Sequence, residues 1–224
     1  MDRDDLFTSI HKALRKGLFD VTVLAGATDW TDPDDVSLLE ARWRPLLALL
    51  ESHTRHEDDH IFRILDGRSP TETVVTEEQH RDLDDLLAHV AERFDAALAR
   101  PDAAAGLALY RDLARFVAAY LPHLHHEETE VMAAIWARCS DAEIAATRAA
   151  FMADITPEES ALSLELMLPA LDRTSRAGLL SALASRAPAP AVEAVLAVAA
   201  RVLPDAEVAH LRSAVAVASP QRAG

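Results

Sequence analysis

Two stretches of the chain, 123 − 53 = 70 residues apart, carry one histidine–carboxylate pattern. The first is His53-Thr54-Arg55-His56-Glu57-Asp58-Asp59-His60-Ile61-Phe62, and the second is His123-Leu124-His125-His126-Glu127-Glu128-Thr129-Glu130-Val131-Met132. Each reads His-x-x-His-Glu-(Asp/Glu)-x-x-(Ile/Val)-(Phe/Met), with a further aliphatic residue at Leu65 and Ile135. On a helix, residues four apart share a face, so His53 stands over Glu57 and His123 over Glu127. Burying two such carboxylates without partners would cost several kcal/mol. A fold that turns both faces inward therefore needs something between them.

Two more histidines complete the duplication. His11 precedes His53 by 53 − 11 = 42 residues, and His80 precedes His123 by 123 − 80 = 43. Each half thus has a lone histidine on its first helix and His-x-x-x-Glu on its second. Neutral imidazole and carboxylate together suit iron, manganese or zinc, and facing helices of a bundle are where such ligands are assembled. The spacing predicts a centre formed by His11, His53, Glu57, His80, His123 and Glu127. It would hold two metal ions about a local two-fold axis, with one carboxylate from each half able to bridge. Spacing leaves open which pairs share an ion; one grouping puts His11 and His53 with Glu57, and His80 and His123 with Glu127.

The elements follow from apolar periodicity and from helix-start signals. A first helix spans about residues 4–24. Asp32 and Pro33 open a second, to about Leu65, and Thr76-Glu77-Glu78-Gln79 offers a capping box for a third, to about Ala99. A fourth runs from Asp102 to about Ala137. Pro45 and Pro122 fall inside the second and fourth and should bend them. Beyond Cys139 the starts at Ser140, Thr156, Asp172, Pro188 and Pro204 predict about five short helices, with His210 the only histidine. The expectation is an all-α protein: an antiparallel four-helix bundle over residues 1–138, followed by a helical C-terminal extension over 139–224 that could serve an oligomer interface.

The remaining polar residues near the repeat are candidates to stand behind the ligands. His60 and Glu130 continue the inward stripe seven residues after His53 and His123, and His56 and His126 flank it. Tyr120 precedes His123 by one turn and could line a substrate pocket. Asp58 and Glu128 are expected to point to solvent, as are His89, His125 and His210.

Composition narrows the function classes. The formal charge is 22 − 37 = −15 with no basic cluster, which argues against nucleic acid and anionic membranes as partners. One cysteine, Cys139, excludes an intrachain disulfide and a multi-cysteine metal site. The acidic start lacks the apolar core of a signal peptide, and no apolar run reaches the roughly 18–20 residues that span a bilayer. A soluble protein of the cytoplasm is expected.

Over about residues 4–138 the chain resembles the hemerythrin-like, or HHE cation-binding, family. The matching pieces are His11 in Ser9-Ile10-His11-Lys12-Ala13-Leu14-Arg15, the two His-x-x-x-Glu-(Asp/Glu) segments, and His80 in Glu77-Glu78-Gln79-His80-Arg81-Asp82-Leu83. The resemblance implies two iron ions (Fe2+/Fe3+) under an oxo or hydroxo bridge, binding or reacting with dioxygen, peroxide or nitric oxide. Oxygen carriers of the family have a second histidine one turn along the third helix, where this chain has Asp84. Its four histidines and two glutamates look more like the bacterial di-iron members linked to iron–sulfur repair and to nitric oxide or peroxide response. Two other functions stay open: a di-iron oxidase or oxygenase acting on a small organic substrate, and a non-catalytic metal or oxygen sensor. Zinc or manganese would be the alternative metals.

Overall fold

The computed structural model describes residues 3–218, which form helices joined by short non-helical connections, with no strand among them. The chain divides between Ile155 and Thr156 into two compact units.

In the first unit, α1 (Thr8–Ala27), α2 (Pro33–His56), α3 (Pro70–Ala99) and α4 (Ala103–His126) form the bundle. α1 packs on α2 and α4, and α3 packs on α4 and α2, so the four close a ring. Short connections join them, which makes sequential neighbours antiparallel. Asp32 caps α2 by accepting from the Asp34 amide at 2.9 Å, and Asp102 caps α4 by accepting from Ala105 at 2.8 Å. The third helix starts six residues before the Thr76 box. Thr76 sits inside it, its hydroxyl donating to the Glu72 carbonyl at 2.8 Å, so the Thr–Gln spacing there caps nothing.

Buried residues recur at three- and four-residue steps. They include Leu14, Leu18 and Val21 on α1; Leu39, Trp43 and Leu46 on α2; Val90 and Phe94 on α3; and Leu109, Leu113 and Phe116 on α4. Trp43 stacks on Phe94 at 5.3 Å between ring centres. Gly106 lets α4 meet the buried Trp30 indole, since a Cβ there would overlap the ring. Gly106→Ala should therefore cost about 1–3 kcal/mol by overpacking. At about 2–4 °C per kcal/mol, thermal denaturation should show a drop of roughly 2–12 °C, and an unchanged Tm would refute the contact.

Both helices that carry the histidine–glutamate repeat change winding there. α2 passes into a π-helical turn, Glu57–Ile61, and then a 3-10 turn, Phe62–Leu65; α4 passes into a π-helical turn, Glu127–Val131, and then α5 (Met132–Arg138). A second apolar cluster lies beyond these turns, with Phe7, Phe62, Leu65, Met132 and Ile135 among its members. The histidine–glutamate level is thus enclosed between two apolar layers. α6 (Asp141–Asp154) packs on the Glu57–Ile61 turn and buries Ile144 in the second cluster. It is tied down by Arg148 to Asp4 at 2.6 Å and by Arg68 to Glu143 at 2.7 Å.

The second unit holds α7 (Pro157–Ala170), α8 (Arg173–Arg186), α9 (Ala189–Val202) and α10 (Asp205–Ala218). Helices α6 to α10 each have 14 residues and start at 141, 157, 173, 189 and 205, a constant step of 16. The caps share that phase. Ser140 and Thr156 make full capping boxes with Glu143 and Glu159, and Asp172 accepts from Ser175. Within the second unit α7 packs on α9 and α8 on α10, around Leu168, Leu180, Leu196 and Leu211.

Candidate metal centre

Each of the six residues singled out by the duplication reaches one point inside the bundle. His11 comes from α1, His53 from α2, His80 from α3 and His123 from α4, while Glu57 and Glu127 open the two π turns. All six are buried, Glu127 completely and His53 the most exposed at 6%. Glu57 lies 3.2 Å from His53 Nε2 and 3.6 Å from both His11 and His80 Nε2. Glu127 lies 3.3 Å from His123 Nε2 and 3.4 Å from both His11 and His80 Nε2. Two sets of atoms fall within 4.8 Å of one another: His11, His53, Glu57 and Glu127, and Glu57, His80, His123 and Glu127. The histidines divide two and two, and both carboxylates belong to both sets.

These atoms face one another without bonding. The Nε2 atoms of His11, His53 and His80 and all four oxygens of Glu57 and Glu127 are buried with no hydrogen-bond partner. Native interiors rarely leave one such atom orphaned, and here seven meet in one place. Two donors each about 2.1 Å from a shared cation, subtending 90–110°, stand roughly 3.0–3.4 Å apart. The observed spacings match that arrangement better than they match hydrogen bonds, so the donor set fits a pair of metal ions.

The outward nitrogens are held by two residues expected to face solvent: Asp58 is exposed as expected yet also reaches a histidine, whereas Glu128 is drawn in and half-buried. Glu128 accepts from His11 Nδ1 at 3.1 Å, and Asp58 accepts from His80 Nδ1 at 2.9 Å. Each carboxylate follows a ligand position on one helix and orients the histidine of a neighbouring helix. The third partner is Gln79, whose side-chain oxygen lies 3.0 Å from His123 Nδ1. A carboxylate or amide oxygen on Nδ1 keeps Nε2 free to face a metal.

The five flanking candidates separate. The π turn shifts the register, so Ile61 and Val131 take the inward course, while Glu130 is exposed and His60 turns to Asp154 of α6 at 3.1 Å. His56 is buried against Phe151 of α6, ring centres 5.3 Å apart. His126 carries a buried Nε2 without a partner. Tyr120 alone meets the ligand cluster directly, its ring 5.6 Å from that of His123 and its hydroxyl buried and unpartnered. His125 is exposed, as expected.

Electrostatics of the metal-free centre reflect this crowding. Burial, and then the Glu127 charge, push Glu57 up to about 8. Burial opposes charge on His11 and His80, yet the carboxylates around them prevail: Glu128 and Glu57 raise His11 to about 9, and Asp58 and Glu127 raise His80 to about 10. Burial lowers His53 well below the usual imidazole value and takes His123 down to about 4. Burial, with the two glutamates, also holds the Tyr120 phenol well above its ordinary value, so it remains a donor.

The model of the hemerythrin HHE cation binding domain matches residues 2–135. No curated protein and no solved structure matches the chain. No helix among the described residues is long and apolar enough to cross a membrane.

Proposed function

The chain belongs to the hemerythrin HHE cation-binding family, and from that premise we propose that it is a non-haem di-iron protein that binds or reacts with a small oxidant: dioxygen, peroxide or nitric oxide. His11 and His53 would hold one ion and His80 and His123 the other, with Glu57 and Glu127 shared. The observation that carries this reading is the meeting of seven orphaned polar atoms at one buried point. When bound, a pair of iron ions under an oxo or hydroxo bridge supplies electrons and an open coordination position to such a ligand.

The chain's own residues fit that task. Glu128, Asp58 and Gln79 hold three imidazoles by Nδ1, and the two apolar layers exclude bulk water. An enclosure this tight favours a diatomic or peroxide over an organic substrate. Tyr120 offers the one hydroxyl donor that meets the ligand cluster, and its burial keeps the proton on Oη. Tyr120→Phe should leave metal content intact and weaken binding of nitric oxide or azide about 2–10-fold, the value of one net hydrogen bond; titration by absorbance would measure it. We place the protein in the cytoplasm as a reading of its single cysteine and acidic composition. We also assign residues 139–224 to a helical extension that holds none of the metal, although its first helix, α6, packs on the Glu57–Ile61 turn and belongs to the first unit.

The test is anaerobic loading with Fe(II), followed by metal analysis and an optical spectrum after exposure to oxygen. About two irons per chain with a bridged ferric absorption is the expected result. Protein that keeps less than one iron and stays colourless would overturn the reading, and two tightly held zinc ions would replace iron in it.

A further inference from the structure

The duplication departs at the positions one turn after His11 and His80, and the departure makes one flank of the buried centre acidic. One turn after His11 stands Arg15, and one turn after His80 stands Asp84 (11 + 4 = 15; 80 + 4 = 84). Arg15 clamps Glu128 through both guanidinium nitrogens, at 2.5 and 2.9 Å, while Glu128 holds His11. On the other flank Asp58 holds His80 in the same way, but the position equivalent to Arg15 supplies a second carboxylate. One flank is a closed cation–carboxylate pair; the other is two acids side by side.

Two clefts, of about 500 and 540 Å3, run along that acidic flank, and Asp58 and Asp84 line both. Glu51, Asp59, Asp66 and Glu77 add to them, against three arginines, one of which, Arg63, is taken up by Asp59 at 3.4 Å. His80 is in the wall of the larger cleft. Its Nδ1 meets Asp58, while its Nε2, buried and without a hydrogen-bond partner, lies 3.4 Å from Glu127. A single imidazole therefore faces both the cleft and the centre.

We infer that this acidic flank is the mouth by which divalent cations load the centre, with Asp58 and Asp84 as the capturing carboxylates. The inference rests on the metal-centre reading above. Six carboxylates face three arginines along the two clefts, and an excess of one sign focuses the field and raises the local concentration of the opposite ion, here toward the low end of the about 10–10³-fold gain in association rate that a fully one-signed cleft gives. Carboxylates bind hard divalent cations, and two on an open cleft do so loosely enough to pass the ion on. On the α1 side, Arg15 repels a cation and occupies the carboxylate that would receive it.

The experiment is stopped-flow uptake of Co2+ by metal-free protein, read by its visible absorption, with bound metal measured at the end point. Asp84→Arg installs the residue of the closed flank and should slow uptake about 10-fold or more while about two ions still bind. Asp84→Asn, which barely alters volume, should slow it about 3-fold. Glu92→Arg, eight residues along the same helix and beyond the roughly 8 Å screening length, should change the rate little. Added salt should slow the wild type more than Asp84→Arg. Wild-type rates in both Asp84 variants would overturn the route while leaving the centre standing. A lowered end point would make Asp84 a ligand and overturn it equally. A wild-type chain that takes up no cation overturns the centre and the route together.

Discussion

Glu57→Gln and Glu127→Gln are each expected to take bound metal from about two ions per chain to nearly none, whereas His53→Ala and His123→Ala should each leave about one. The asymmetry follows from the sharing. Both four-residue sets contain both glutamates, so one amide removes a charged donor from each ion, while each histidine serves a single set. Glutamine keeps the shape and an oxygen, but a neutral amide is a far weaker ligand for iron than a carboxylate. The fold should survive, because the group replaced is a buried carboxyl whose oxygens have no hydrogen-bond partner, and the amide matches its shape. Metal analysis paired with circular dichroism reads both quantities. If Glu57→Gln still retained one tightly bound ion, the carboxylates would not be shared.

Much of this centre is legible in the sequence, because a four-residue spacing on a helix encodes a face and a 70-residue offset encodes a second copy of it. The antiparallel bundle follows from Asp32, Asp102 and the short connections. What stays hidden is local winding. A π turn at Glu57–Ile61 or Glu127–Val131 has no residue signature, and counting 100° per residue through it sends His60 and Glu130 inward and Asp58 and Glu128 outward. The real register frees Asp58 and Glu128 to reach histidines on neighbouring helices. The third helix misleads for another reason: a Thr–Gln spacing is compatible with a cap, but the helix already starts at Pro70, and Thr76 is a buried residue within it whose hydroxyl bonds back to Glu72. In the C-terminal tract each helix start is visible in its capping residue, while the constant step of 16 emerges only when Ser140, Thr156, Asp172, Pro188 and Pro204 are set in one frame. The broken equivalence of Arg15 and Asp84 is visible in the same way, once the structure shows that each stands beside a carboxylate–histidine pair.

Raising the pH from 6.5 to 9 should widen the gap in Tm between metal-loaded and metal-free protein. In the metal-free chain His11 and His80 have folded values of about 9 and 10, above the roughly 6.5 of an unfolded imidazole. Their contribution to folding is complete below about pH 6.5 and is lost as the pH climbs toward those values. Glu57, raised to about 8, acts in the same direction, favouring the fold only while it holds its proton. His53 and His123, lowered by burial, act below pH 6.5 instead, where the unfolded chain takes protons that the fold refuses. Bound cations replace the protons on His11, His80 and Glu57, so the loaded protein has none of this alkaline loss. Loading at pH 7 should accordingly release about two to three protons, and metal affinity should rise with pH. Saturation at one hundred times Kd adds about 2.7 kcal/mol per site. At about 2–4 °C per kcal/mol, two sites give a gap of roughly 10–20 °C at pH 7, with more at pH 9. Parallel thermal scans with and without chelator, and proton release in weak buffer, measure these effects. A gap that narrows with rising pH would mean the cations do not stand where the protons were.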